Sequence, residues 1–252
     1  MQDDKKNWNK SALAYDEFIG NLGDPLRRGL IDPIIFEMIG DVKNKKILDA
    51  ACGNGYITNQ LTEKEADAIG LDFSPELILL AKKRFSKSDF LVATLGEKLP
   101  FENSSFDKIL AHLVLMDVLK LEETINEFSR ILKKDGEFVF SILHPCFSPP
   151  VSFFKRKILG RINKKFSKMY SKRYFDAGTF LTTIQNSDLS ETRIYHRTIA
   201  EYMKILKKHN FIITDIREPK ADKKFIEQNP NYFQFGKFPV VLIVKGEKTI
   251  KN

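Results

Sequence analysis

The chain has 252 residues, of which 42% are hydrophobic and 29% charged, with only two cysteines. That is enough apolar material for one large domain, and it excludes a disordered chain or a disulfide scaffold. The net charge is +8, yet residues 155–173 alone carry nine Lys or Arg and no Asp or Glu, so the rest is close to neutral and a general nucleic-acid coat is not indicated.

Ala12, Tyr15, Phe18 and Ile19 recur at helical spacing. Asp24-Pro25 then starts a second helical stretch through Leu30, Ile34, Ile35, Met38 and Ile39. Residues 1–44 are therefore expected to form an N-terminal helical lid. After a polar connection the pattern alternates. Strands are expected at 47–51, 68–72, 90–93, 107–111, 138–143, 211–216 and 240–244. Helices are expected at 56–64, from Pro75 to about Phe85 behind a Ser74 cap, at 121–134 closed by Asp135-Gly136, and at 199–209. Such alternation of buried strands and helices implies an α/β fold with a mostly parallel sheet covered on both faces.

Pro145, Pro149 and Pro150 end the fifth strand. Residues 146–194 read as a basic cap insertion beside a core made of 45–145 and 195–252, all in one structural domain. Within it Phe154, Ile158, Ile162, Phe166 and Met169 or Tyr170 keep helical spacing, with cations on the other faces. One reading is a cap helix with a solvated cationic face. A second is attraction of an acidic or amphiphilic acceptor, or of a membrane surface. The third is phosphate contact with RNA, with Tyr174 and Phe175 to stack on bases; no RNA-binding module supports it. The polar start of the chain is unlike a secretory signal, and no apolar run nears the roughly 18 residues that span a bilayer. A cytoplasmic protein with reduced Cys52 and Cys146 and no metal site is expected.

In open α/β sheets a ligand sits beyond the carboxyl ends of the strands, where strand order reverses. The first strand ends at Asp49, followed by Gly53-Asn54-Gly55, which lets the backbone approach a ligand, and the next helix offers free N–H groups to a carboxylate. The second strand ends at Asp72, whose carboxylate suits the two hydroxyls of a ribose, with Phe73 beside it for a flat base. This points to a nucleoside-type ligand. A nicotinamide dehydrogenase is the runner-up, but its fingerprint wants a third glycine where this chain has Thr58.

ILDAACGNGYIT (47–58) resembles the first motif of class I S-adenosylmethionine-dependent methyltransferases, and GLDFSPELILLAKKR (70–84) resembles their second. The stretches 95–118, 128–145 and 195–219 are similar to later parts of the same family. The resemblance implies a Rossmann-like, doubly wound seven-stranded sheet with its last strand antiparallel. It implies S-adenosylmethionine as methyl donor and S-adenosylhomocysteine as product. Asp49, Ala51, Gly53 and Gly55 would surround the amino-acid end, Asp72 the ribose, and Phe73 the adenine. Leu95 stands where the family commonly has an Asp, so backbone groups of Leu95 and Gly96 would hold the adenine there. Ala111 and His112 would lie near the sulfonium. Glu97 falls at a position that is often acidic or polar in the family. N-terminal helices of this family often close over the cofactor, which favours a role for Tyr15; Arg27 and Arg28 are candidate lid residues.

A general base is needed only where the acceptor holds a proton at neutral pH. His144, at the end of the fifth strand, is the leading candidate, the alternative being a histidine that shapes the turn before Pro145. Tyr15 and His196 follow, with Asp117; His196 is also placed to order the return from the insertion, Asp117 to cap a helix, and Tyr15 to pack in the core. The expected reaction is methyl transfer to an oxygen or nitrogen of a small molecule. A methyltransferase acting on RNA or protein is one rival. A non-catalytic nucleoside-binding protein is another. The oligomeric state is left open.

Overall fold

The computed structural model describes residues 2–147, 174–176, 178–183 and 191–249. The basic stretch 155–173, with its expected cap helix, lies outside the described residues.

Helix α1 (Gln2–Ile19) is followed by a π-helical turn (Arg27–Ile31) that runs into α2 (Asp32–Ile39), so the second N-terminal helix starts on a widened turn. Then come β1 (Lys46–Ala50), α3 (Tyr56–Glu63), β2 (Asp67–Asp72), α4 (Pro75–Arg84), β3 (Asp89–Val92) and β4 (Phe106–His112). A 3-10 turn (Leu115–Asp117) leads to α5 (Leu121–Ile131) and β5 (Leu132–Leu143). Strands β6 (Gly178–Thr183) and β7 (Glu191–His196) pair as a separate antiparallel ribbon. The chain closes with α6 (Ile199–Lys208), β8 (Phe211–Arg217), α7 (Lys223–Gln228), a 3-10 stretch (Pro230–Gly236) and β9 (Val241–Lys248).

Seven strands form one sheet in the order β3-β2-β1-β4-β5-β9-β8. Neighbours from β3 to β5 are parallel, and β9 runs antiparallel to both β5 and β8. This is the doubly wound, mostly parallel sheet expected from the motifs. The order reverses between β1 and β4, so the connections leaving those two strands part and open a crevice at their carboxyl ends.

Two apolar layers cover the sheet. One packs α2 and α3 against it through Ile31, Ile35, Ile39 and Leu61; the other packs α5 and α6 through Ile125, Phe128, Tyr202 and Leu206. Phe106, Phe128, Phe138 and Phe140 are fully buried, each contributing about 1.5–3 kcal/mol by leaving water. Local signals fix the helix ends. Ser74 Oγ accepts from Leu77 N at 3.2 Å with Pro75 in the first helical position. Thr198 and Glu201 cap α6 reciprocally.

Two expectations need correction. Helix α5 stops at Ile131, three residues before the expected end, because Leu132 turns extended and pairs with Phe106, fully buried. Asp135, with φ 58°, then makes its turn inside β5 rather than at a helix end. The described part of the cap insertion includes the β6–β7 ribbon, where the insertion was expected to be a helical cap and no strand was expected. Its chain alternates rather than following a helical period.

Candidate active site

A cavity with about 920 Å³ of empty space, part of it open to solvent, lies beyond the carboxyl ends of β1, β2 and β4. Its floor comes from the first βα loop. Ala51 (φ 61°) and Gly53 (φ 56°) both adopt left-handed backbone. For Ala51 this is strained, and the surrounding hydrogen bonds hold it there: Cys52 N donates to Leu71 O at 2.9 Å and Gly53 N to Asp72 Oδ2 at 3.0 Å. Asp72 Oδ1 accepts from Ser74 N at 2.9 Å. The carboxylate is thus locked in position with lone pairs to spare on both oxygens. Burial pushes its pKa up to about 6, with the backbone donors of Ser74, Gly53 and Phe73 opposing.

Of the residues expected at the cofactor, Ala51, Gly53, Asp72, Phe73, Leu95 and His112 line this cavity. Asp49 lies behind it, where Thr58 Oγ1 donates to Asp49 Oδ2 at 2.7 Å; burial pushes the Asp49 carboxyl up to about 7. The residue that departs from a nicotinamide fingerprint therefore orients the acid at the end of β1. Gly55 (φ 81°) stands at the residue before α3 without capping it, and a side chain there would strike Phe90 at 2.6 Å, so this glycine serves helix–sheet packing. Gly96 likewise makes room for Lys120, at 2.6 Å from where its Cβ would stand. Ala111 is buried within β4 and is not on the wall.

His112 ends β4 with Nδ1 at 2.8 Å from Ser141 Oγ and Nε2 at 3.3 Å from Asp32 Oδ1. The Ser141 hydroxyl also accepts from the N of Leu113, itself strained at φ 53°.

The roof is made by α1 and β7. Asp4, Trp8 and Tyr15 of α1 and Arg193 and Tyr195 of β7 all face the cavity. Arg193 Nη1 donates to Asp4 Oδ1 at 2.8 Å and Tyr195 OH to Asp4 Oδ2 at 3.3 Å, latching the two elements. Helix α1 is pinned to the floor as well. Arg84 pairs with Asp16 at 2.5 Å, Asn54 Nδ2 donates to Asp16 Oδ1 at 3.0 Å, and Ser74 Oγ donates to Asn9 Oδ1 at 2.6 Å. Arg27 stays in the lid, paired with Asp24.

The expected catalytic residues separate. Tyr15 is on the wall, against the face of Gly53; burial, first of all, pushes its hydroxyl up to about 12. It therefore stays protonated at neutral pH and acts as a donor. His144 is not on the wall. Its Nδ1 accepts from Cys146 N at 3.2 Å, which places the ring proton on Nε2, 3.0 Å from Glu218 Oε1. Burial holds this imidazole below its usual range, so it is neutral. His196 Nε2 meets Tyr174 O at 2.9 Å, also off the wall, where it ties the ribbon to the return of the chain. Asp117 is on the wall, and burial, with Asp4 nearby, pushes it up to about 8.

The sequence reading anticipated the N-terminal lid and Tyr15 but missed Asp4, Trp8, Arg193 and Tyr195 of the roof. Asp4, Trp8 and Tyr15 keep one helical face, a signal present four residues into the chain. Arg193 and Tyr195 share one face of a strand, visible only if that segment is read with period two.

A seven-stranded sheet in this order, with a cavity at its carboxyl edge and an acid at the end of β2, defines the class I S-adenosylmethionine-dependent methyltransferases. Residues 41–234 match the family described as methyltransferase domain, and the chain belongs to it. An uncharacterized protein of Methanocaldococcus jannaschii is 29% identical over 241 residues, covering 92% of this chain and 88% of that protein. A malonyl-[acyl-carrier protein] O-methyltransferase of Hamiltonella defensa is 30% identical over 109 residues, covering 43% of this chain and 42% of that enzyme. The solved S-adenosylmethionine-dependent methyltransferase of Mesorhizobium loti shares the fold, with TM-score 0.69 at 23% identity over 86% of this chain and 96% of that one. The protein is a methyltransferase that uses S-adenosylmethionine. No helix among the described residues is long and apolar enough to cross a membrane.

Proposed function

We propose that the enzyme moves the methyl group of S-adenosylmethionine to an oxygen or nitrogen of a small molecule held under the α1–β7 roof. The observation that carries this reading is the roofed, largely apolar cavity. Of the two cations on its wall, Arg193 and Lys120, Arg193 is already engaged by Asp3 and Asp4. A phosphate backbone would need an open cationic groove instead.

The residues fit the cofactor. Asp72 would take the ribose hydroxyls, since both its oxygens face the same loop and are held by backbone donors. Phe73, Leu77, Leu95 and Val114 give apolar wall for adenine. The backbone of Ala51 and Gly53, the uncapped start of α3 and the Tyr15 hydroxyl would meet the amino-acid carboxylate. Bound S-adenosylmethionine supplies a methyl carbon on a sulfonium, already a good electrophile. The protein then contributes mainly alignment and exclusion of water.

Asp72→Ala tests the site. Losing a charged partner to the diol should weaken S-adenosylhomocysteine binding by roughly tenfold to a hundredfold, measured by calorimetry. Affinity equal to wild type would sink the assignment. Turnover of S-adenosylmethionine with a panel of small acceptors separates this reading from a non-catalytic binding protein.

A further inference from the structure

The 3-10 turn after β4 puts Asp117 on the cavity wall. Arg197 holds that turn from outside, donating to Val118 O at 2.8 Å and Leu119 O at 2.9 Å. Among the described residues, the Asp117 carboxyl has neither a hydrogen bond nor an ion pair. The charged side chain that acts on it is Asp4, a second acid, and neither Arg193 nor Lys120 offsets it although both line the same cavity. Asp117 is half-buried, and a carboxyl that faces an apolar cavity without a partner is open to a ligand group that completes it. Trp8 and Tyr195 belong to the same wall, and aromatic faces attract alkylammonium groups.

We propose that this corner receives the basic nitrogen of the acceptor: the substrate is a small amine with an apolar body, bound as its ammonium by Asp117 and methylated on that nitrogen. The inference rests on the small-molecule reading above. In the transfer, the ammonium gives a proton to the Asp117 carboxylate and the freed lone pair forms the new N–C bond. The S–C bond breaks with its electron pair going to sulfur, and the product is an N-methylammonium that regains positive charge.

The charged and titratable groups around Asp117 are Asp4 of α1, Arg193 and Tyr195 of β7, Lys120 beside it, and Arg197 and Tyr202 at α6. Asp117 titrates at about 8 before a ligand arrives. At pH 7 it is mostly protonated, so binding an ammonium beside it must expel a proton.

The test uses the full chain saturated with S-adenosylhomocysteine and a set of arylalkylamines, each with its alcohol and carboxylate counterpart. Calorimetry in two buffers of different ionisation enthalpy reads affinity and proton release together. The amines should bind at least tenfold tighter than their counterparts and release protons at pH 7. Asp117→Asn should lose about tenfold to a hundredfold in amine affinity and the proton release with it, as for a charge-assisted contact. Its S-adenosylhomocysteine affinity should stay within about twofold, which also shows that the variant is folded. Three results overturn the inference: counterparts binding as tightly as the amines, no amine binding, or unchanged amine affinity in Asp117→Asn. A parallel loss of S-adenosylhomocysteine affinity would also overturn it, making Asp117 a cofactor contact. Failure of the wild-type chain to bind S-adenosylhomocysteine is a different result and strikes the proposed function itself.

Discussion

Three aspartates around the cavity share one electrostatic situation. Burial holds Asp49, Asp72 and Asp117 at about 7, 6 and 8, above an ordinary value of 3.8. A carboxyl raised in the folded state contributes its full stability below the unfolded value, and that contribution is lost as pH rises through the folded value. Each group therefore costs about 1.4 kcal/mol per pH unit across its own window. Carboxyls held low by cations, such as Glu127 beside Arg130 and Glu137 beside Lys108, act in the opposite direction. The contribution of one group is read by comparing wild type with a variant. Ligand-free Asp117→Asn should match wild type in melting temperature near pH 4 and exceed it at pH 7.5, because folded wild type must hold on this carboxyl a proton that the unfolded chain releases, whereas Asn carries no such penalty. A variant that is less stable at pH 7.5 would mean that the carboxylate has a stabilising contact. Asp49 and Asp72 were legible in the sequence because each ends a strand at a fixed distance from the glycine turn. The state of Asp117 was not, since it depends on which side chains fail to reach it. His144 shows the same limit. Its position at the rim was readable, but the Cys146 N–H and the Glu218 carboxylate that occupy its ring were not.

At the scale of elements, the sheet and the N-terminal helical lid were legible and the ribbon half of the roof was not. Buried β-branched and leucine runs, the Ser74-Pro75 cap and the Thr198–Glu201 capping box are local signals, and they survive in the structure almost residue for residue. The β6–β7 ribbon carries no such signal. It joins α1 through Arg193, which is 31% exposed at its side chain and bonded to Asp4 and Asp3. Pairs open to solvent in this way add little to the stability of a fold. Arg193→Ala should therefore hardly move the melting temperature of the ligand-free protein. It should act on closure instead, raising the dissociation rate of S-adenosylhomocysteine by several-fold in stopped-flow measurements, because the ligand's cover is no longer latched from the ribbon side. A melting-temperature loss with unchanged dissociation would assign the pair to folding alone.

The whole molecule joins a rigid floor to a roof drawn from two distant parts of the chain. The latch between Asp4 and Arg193 closes a separation of 189 residues. Strands β4, β5 and β9 of the sheet belong to the deepest core, whereas α1 keeps only Ser11, Ala12, Asp16 and Ile19 fully buried. Such an element opens at lower free energy than the sheet beneath it. Because Tyr15, Trp8 and Asp4 all face the cavity, a ligand there touches α1 and the floor at once, and it favours the closed arrangement by its differential contacts. Saturation at about a hundred times Kd adds roughly 2.7 kcal/mol to the folded, closed state. Hydrogen exchange should reveal where that energy goes. With S-adenosylhomocysteine bound, the amides of α1 and β7 should slow about a hundredfold. Those of β4 and β5 should slow only as far as they already exchange through global unfolding. A uniform slowing over every element would mean that α1 never opens on its own and that the roof is part of the globally cooperative fold.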